Sequence, residues 1–161
     1  MKFKSLAVAA AAAAAATVAV AVPAIATPVQ HNSSPLASYC ARKFDEAQRV
    51  DMESYRDFDR DTWVAGHDDD AITIFNNGRM VQGRDAIAAS QNAHFTNRNA
   101  VWSWTELTRA VDGCSTGTIV YDATYAIPSQ NFSVHLIINV TYTFKRGKWL
   151  SVIDQGTEIR V

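Results

Sequence analysis

The sequence lacks the short motifs that would assign a reaction. It has no glycine-rich phosphate loop, no serine-nucleophile elbow and no paired-cysteine metal motif. It also has no excess of positive charge, since 15 Lys and Arg stand against 16 Asp and Glu and the formal net charge is -1. Nothing in such a composition attracts a polyanion, so we expect no nucleic-acid partner.

The first 26 residues have the composition of a secretory signal peptide. Lys2 and Lys4 give a basic start, an apolar run dominated by alanine covers residues 6–22, and Ala24-Ile25-Ala26 is a small-x-small cleavage site. The alternative is a membrane anchor, but the run is short and alanine is weakly apolar for a span. Cleavage after Ala26 leaves 135 residues, one domain's worth, with a net charge of -3 once both lysines are lost. We expect a secreted, extracytoplasmic protein without membrane contact after cleavage.

A linker over residues 27–34 precedes the predicted domain, residues 35–161. Ser34 followed by Pro35 is typical of a helix start. Apolar side chains then recur every three or four residues up to Val50, and a second helical segment begins near Asp51. The pattern leaves open whether these segments form one bent helix or two.

The stretch 58–87 predicts a helix, a hairpin and another helix. Gly66 supplies the stop after a helical turn. Residues 71–75 are short and rich in β-branched side chains, which favours a buried strand. Asn77-Gly78 is typical of a type I′ turn, so this strand pairs back onto Arg79–Gln82.

A helix is next predicted over residues 84–95, with Asp85 in its first turn, where a negative charge meets the positive end of the helix dipole. Long strands follow over 100–111, 116–127, 132–144 and 149–159. Strands of a dozen residues must twist and coil strongly, and such curvature makes a pocket. On the third of them, an outward polar stripe favours packing against a twin sheet, and hence a homodimer: His135, Asn139, Thr141 and Thr143.

The order and spacing of these features resemble the nuclear transport factor 2-like superfamily, close to its SnoaL-like branch. The resemblance rests on the Asp69-Asp70-Ala71 strand, the helix start Gly83-Arg84-Asp85-Ala86-Ile87, and Trp149 followed by Asp154-Gln155-Gly156-Thr157. It covers residues 51 to 159. It implies an α+β fold in which a cone-shaped, strongly curved antiparallel sheet packs on N-terminal helices, with a pocket at the wide end.

Cys40 and Cys114 are the only cysteines, and a signal peptide sends both to an oxidising compartment. An even count there favours a disulfide, which would stabilise the fold by about 3–4.5 kcal/mol on the chain-entropy model. The alternative is two separate free thiols.

The interior of the cone is the default site for a small-molecule ligand. The candidate lining residues are aromatic, and for each of them ordinary core packing is the alternative: Tyr55, Trp63, Phe75, Trp102, Trp104 and Tyr125.

Four residues are candidates for acid-base chemistry. Asp122 and Asp154 lie in the middle of strands, where an ionised carboxylate is costly unless it is partnered. His94 could move a proton, and Tyr55 could donate a hydrogen bond to a developing oxyanion. A structural hydrogen bond or ion pair is the competing interpretation for the carboxylates and for the histidine.

Two further comparisons limit the chemistry. In steroid isomerases of the superfamily, a carboxylate base occupies the position that holds Phe75 here, opposite a tyrosine to which Tyr55 corresponds loosely, so the resemblance implies no isomerase chemistry of that type. The run His67-Asp68-Asp69-Asp70 suggests a metal site, but a solvated acidic loop explains it better. We expect no metal and no cofactor.

Two functions are therefore compared. The preferred one is a secreted SnoaL-like protein that binds a small apolar or aromatic molecule in its cone pocket without turnover. The alternative is an isomerase, cyclase or dehydratase that transfers protons in the same pocket, with Asp154 or Asp122 as base and Tyr55 or His94 as acid. It requires a carboxylate that reaches the pocket.

Overall fold

A computed structural model describes residues 34–159 of the chain. The predicted signal peptide, the linker before Ser34, and the last two residues of the predicted domain lie outside the described residues. A single 3-10 turn, Pro128–Gln130, links two of the strands. In chain order the other elements are α1 (Pro35–Arg56), α2 (Arg60–Ala65), β1 (His67–Ile74), β2 (Met80–Gln82), α3 (Arg84–Ser90), α4 (Asn92–Asn97), β3 (Val101–Asp112), β4 (Thr116–Ile127), β5 (Phe132–Lys145) and β6 (Lys148–Glu158).

The first helical region is one continuous helix. The Ser34 hydroxyl accepts a hydrogen bond from the amide of Ala37, 3.1 Å away, and Pro35 follows in the first turn. The helix runs through Asp51, so the predicted new segment there does not exist. Its end lies beyond Arg56, where Phe58 takes the left-handed backbone conformation with φ 60°. Asp59 then caps α2.

The predicted helix over 84–95 is divided in two. α3 ends at Ser90, whose hydroxyl donates to the carbonyl of Ile87 at 2.7 Å. Such a local bond competes with the helical pattern, and α4 begins one residue after Gln91. The hairpin before α3 forms as predicted, with Ile72 opposite Gln82 and Gly78 at φ 80°.

The six strands form one curved, unclosed sheet in the order β2-β1-β6-β5-β4-β3. Register shifts after Glu106 in β3 and after Thr141 in β5 add to its bending. The sheet is mixed, because β1 and β6 run parallel while the other pairs are antiparallel. The predicted all-antiparallel sheet is wrong at this pair, since β6 joins the free edge of β1 across 74 intervening residues that no local pattern relates.

One end of the interior is filled with side chains. We call it the packed end and define it by Phe44, Gly117, Tyr142, Trp149 and the Cys40–Cys114 disulfide, which confirms the predicted pairing. The Phe44 ring meets the rings of Tyr142 and Trp149 edge-on, with centroids 5.3 Å apart in each pair. A Cβ on Gly117 would overlap Cε2 of Phe44, so only glycine fits there.

The outer face of the sheet carries the predicted polar stripe. His135, Asn139, Thr141 and Thr143 alternate along β5 with buried or half-buried residues of the inner face. Self-association through this stripe stays a prediction. No helix within residues 34–159 combines the length and hydropathy needed to cross a membrane.

Candidate functional site

A cavity of about 350 Å³ lies at the opposite end of the interior, which we call the open end. Helix α1 supplies Tyr55, α4 supplies His94, and the inner faces of the long strands supply the rest of the wall. Five of the six predicted aromatic residues line it: Tyr55, Trp63, Phe75, Trp102 and Tyr125. Aliphatic side chains complete the apolar surface: Met52, Ile74, Val134, Leu136, Ile138 and Val140.

Trp104 does not line the cavity, and its predicted role in the pocket is wrong for this structure. It shares a face of β3 with Trp102, so the alternation of the strand could not separate the two. The end of α1 lies beside Trp104 instead, with the Arg56 guanidinium 5.6 Å from the ring centroid. Trp104 therefore packs against the core cluster.

Asp154 is the carboxylate that reaches the cavity. It lies on β6 between Thr73 of β1 and Val140 of β5, and it is half-buried. Among the described residues, no hydrogen bond or ion pair reaches its side chain. Burial, and secondarily the negative charge of Asp51, raise the pKa of Asp154 to about 7. Near neutral pH the group is thus poised between its two protonation states.

Asp51 also lines the cavity, and it contrasts with Asp154 in being hydrogen-bonded. Its Oδ2 accepts from the Tyr142 hydroxyl at 2.6 Å. Burial raises the pKa of Asp51, while His67 and the bonds from Tyr142 and Trp63 act in the opposite direction. Sequence reasoning missed this residue. The signal was present, because Asp51 continues the buried stripe of α1 at a spacing of four from Ala47.

His94 is held in one tautomer by its neighbours. A carbonyl oxygen can only accept, so the 2.7 Å contact with the Tyr55 carbonyl places the proton on Nε2. Nδ1 then accepts from the Tyr125 hydroxyl at 3.2 Å. Burial lowers the pKa of His94, with the bond to Tyr55 opposing it, so the neutral ring predominates. His94 is therefore a weak candidate for the proton donor.

Tyr55 is clamped between two polar partners. Its ring stacks on His94 with centroids 3.8 Å apart, and its hydroxyl donates to Oε1 of Gln91 at 3.1 Å. Burial raises the pKa of Tyr55 far above its usual range, and the charges of Tyr125 and Asp154 add to this. The hydroxyl is thus a wall group that rarely ionises.

Asp122 lies away from the cavity. It is on the outer face of β4, where its Oδ1 accepts from Nε2 of His135 at 2.7 Å. The predicted role as a base in the pocket is therefore contradicted by its position. The alternation of β4 carried this information, because Tyr121 and Ala123 on either side of Asp122 are buried.

The predicted acidic loop is part of a strand. His67 and Asp68 are buried at the start of β1, and Asp68 accepts from Nζ of Lys145 at 2.7 Å. Asp69 pairs with Arg84 at the same distance. The interpretation as a solvated loop is wrong, because these ion pairs allow carboxylates inside an element. Within residues 34–159, no three His, Cys, Asp or Glu side chains are grouped as metal ligands.

Two polar groups of the wall have no partner within the described part of the chain. They are the Thr73 hydroxyl and the Trp102 indole N–H, and their residues are only 4% and 8% exposed. Buried polar groups are normally paired, so each is free to bind a ligand atom. Neither was predicted as a polar contact, because a threonine or tryptophan within a strand is common.

Comparison with known proteins gives the fold. No protein-family model matches the chain, and no curated protein does either. A Nostoc punctiforme domain of unknown function with a cystatin-like fold matches with TM-score 0.65 at 12% identity, covering 77% of this chain and 80% of that one. An NTF2-like protein of unknown function from Pseudomonas putida matches with TM-score 0.64 at 13% identity, covering 74% and 87%.

A third similar structure is an uncharacterised protein with a cystatin-like fold from Caulobacter vibrioides, with TM-score 0.65 at 11% identity and coverage of 76% of this chain and 91% of that one. Identities this low are informative about architecture and not about activity. The chain therefore has the cystatin-like fold of the nuclear transport factor 2-like superfamily.

Proposed function

We propose that this protein binds a small, mainly apolar molecule with an aromatic or other ring system in the cavity at its open end, as a secreted SnoaL-like binding protein. The observation that carries the proposal is the cavity itself, about 350 Å³ with a wall of aromatic rings and few polar groups. Such a composition is typical of small-molecule sites, whose few polar groups fix the orientation of the ligand.

The wall is also held in place before any ligand arrives. Tyr55 is fixed by its stack on His94 and by its bond to Gln91, and His94 is fixed by the bonds of both ring nitrogens. Little side-chain entropy is then lost on binding, which favours affinity.

Filling the cavity tests the proposal. Leu136 points into the cavity from β5, and Ile137 points to the other face of the same strand. We expect propylbenzene to bind the wild type and the Ile137→Trp control, and Leu136→Trp to abolish binding, as measured by ligand-observed NMR. Equal binding by all three proteins, or none by the wild type, would contradict the proposal.

A second function, proton-transfer catalysis, is favoured by one observation, the unpartnered Asp154 carboxyl at the cavity. A base with a pKa near 7 is matched to reactions at neutral pH. In this alternative Asp154 takes a proton from a carbon next to a ligand carbonyl, leaving an enolate and a protonated carboxyl, and later returns a proton to that carbon.

Hydrogen exchange separates the alternative from simple binding. Propiophenone is an aromatic ketone of suitable size, and its exchangeable hydrogens can be followed by NMR in deuterium oxide. Catalysis predicts faster deuterium uptake with the wild type than with Asp154→Asn. Binding of propiophenone without any acceleration of exchange would leave the binding function alone.

Secretion is supported by the disulfide, because such bonds persist in oxidising compartments. We propose that the mature protein begins at Thr27. Expression in a secreting bacterial host followed by intact-mass measurement of the protein in the medium tests this. Retention of the first 26 residues on the exported protein would contradict it.

A further inference from the structure

The cavity contains two acidic side chains and no Lys or Arg. Asp51 and Asp154 line it, and Arg79, whose guanidinium lies over the Phe75 ring, is not among the lining residues. Since His94 is mainly neutral, the described wall offers no strong counter-charge to a carboxylate. An enclosed site with this charge pattern attracts cations and repels anions.

The two carboxyl groups differ in what they have left to bind. Asp51 already accepts from the Tyr142 hydroxyl. Asp154 accepts nothing from the described chain, and its register neighbour Thr73 has a hydroxyl without a partner although the residue is 4% exposed. Two adjacent unpaired oxygen-bearing groups on the wall form a place for a donor with several N–H bonds.

We propose that the ligand is an organic cation, a molecule whose protonated amine binds Asp154 and the Thr73 hydroxyl while its apolar body lies among the aromatic rings. This inference rests on the proposed function, because it names the chemical class of the molecule that the cavity binds. Aromatic faces such as those of Tyr55 and Trp63 further favour a cation, because a ring carries negative charge on its face. The charge-assisted bond to a carboxylate provides orientation.

The protonation of Asp154 makes binding depend on pH. The titratable groups near it are Asp51 and Tyr55 on α1 and Tyr142 on β5, with Tyr125 and His94 also on the cavity wall and His67 acting on Asp51. Of these, the acidic group with a pKa of about 7 is Asp154. A cation binds its ionised form, so affinity rises with pH up to and beyond 7.

The test compares two molecules of nearly the same shape. Phenethylamine carries an ammonium group at neutral pH, and propylbenzene has a methyl group in its place. At pH 8 we expect phenethylamine to bind about tenfold more tightly than propylbenzene, a ratio typical of one charge-assisted contact. From pH 6 to pH 8 its affinity should rise about tenfold, as expected for ionisation of a group with pKa about 7, whereas that of propylbenzene should not rise.

Three variants locate the effect. Asp154→Asn should reduce phenethylamine affinity about 10- to 100-fold and remove its pH dependence, and Thr73→Val should reduce it about three- to tenfold. Asp122→Asn, on the outer face, should leave it unchanged. Propylbenzene binding equal to or tighter than that of phenethylamine would overturn the inference and leave the proposed function intact. Failure of both molecules to bind the wild type would overturn both.

Discussion

The packed end and the open end are built on the same three strands, yet they differ in how well their groups are satisfied. Along β4, Gly117 lies against Phe44 in a filled core, and ten residues later Tyr125 of β4 pairs with Val134 and faces an empty cavity. Strands of 11 to 14 residues are long enough to serve both purposes. The comparison teaches that one sheet can provide stability at one end and a site at the other.

Hydrogen bonding follows the same division. The buried hydroxyl of Tyr121 donates to Gln48, and that of Tyr142 donates to Asp51, each at 2.6 Å. At the open end Asp154 and Thr73 lack partners among the described residues. Buried groups left unpaired reduce stability, and such losses are tolerated where a ligand needs the groups.

Truncation of a ring at the packed end should have the largest effect. We expect Phe44→Ala to lower the free energy of unfolding by about 3–5 kcal/mol, because the buried ring leaves a void. Phe75→Ala at the open end should cost less than half as much, since that ring is half-buried and borders a cavity already. Urea denaturation measures both, and equal losses would remove the distinction between the two ends.

Loss of the disulfide should have the next largest effect. Its two cysteines are 74 residues apart, so the bond restricts the unfolded chain strongly, and the double change Cys40→Ala with Cys114→Ala should cost about 3–4.5 kcal/mol. Ligand affinity at the open end should stay the same under conditions where the variant is folded. A loss of affinity in the folded variant would mean that the two ends are coupled.

At the open end, removing a charge should increase stability. The pKa of Asp154 is about 7 in the folded protein and near 4 in an unfolded chain, so the folded state holds the proton more tightly. The stabilisation from this proton is complete at pH 3 and is lost as pH rises towards 7. Asp154→Asn should therefore be more stable than the wild type by about 2–4 kcal/mol at pH 8.

The acid side of the same titration supplies the control. The stability advantage of Asp154→Asn over the wild type should shrink as pH falls from 7 towards 4. A constant difference across this range, measured by urea denaturation at each pH, would show that Asp154 does not titrate near neutrality.

A smaller change tests the close contact at the packed end. The added methyl group of Gly117→Ala would overlap the Phe44 ring, and we expect a loss of about 1–3 kcal/mol from overpacking. Combining it with Phe44→Leu should recover part of the loss, because the smaller side chain leaves room. Additive losses in the double variant would contradict the contact as its cause.

Local patterns predicted most of the fold. Alternation identified the long strands, Asn77-Gly78 identified the hairpin, and the two cysteines identified the disulfide. The parallel pairing of β1 with β6 could not be predicted, because strand direction across a long separation depends on the whole topology.

The site was less accessible to sequence reasoning. Asp154 and five aromatic residues were found because large rings and a mid-strand carboxylate stand out. Trp104 was assigned to the wall because it shares a strand face with Trp102, and only the position of α1 distinguishes them. The partners of Asp51 and the unpaired state of Thr73 depend on atoms from distant segments.

The central claim is that the open end contains an unpaired carboxyl group facing a cavity. The most direct measurement is a carbon-13 NMR titration of the Asp154 carboxyl, assigned with the Asp154→Asn variant. The structure predicts a midpoint of about 7, falling when phenethylamine binds. A midpoint near 4 that does not respond to the amine would contradict the claim.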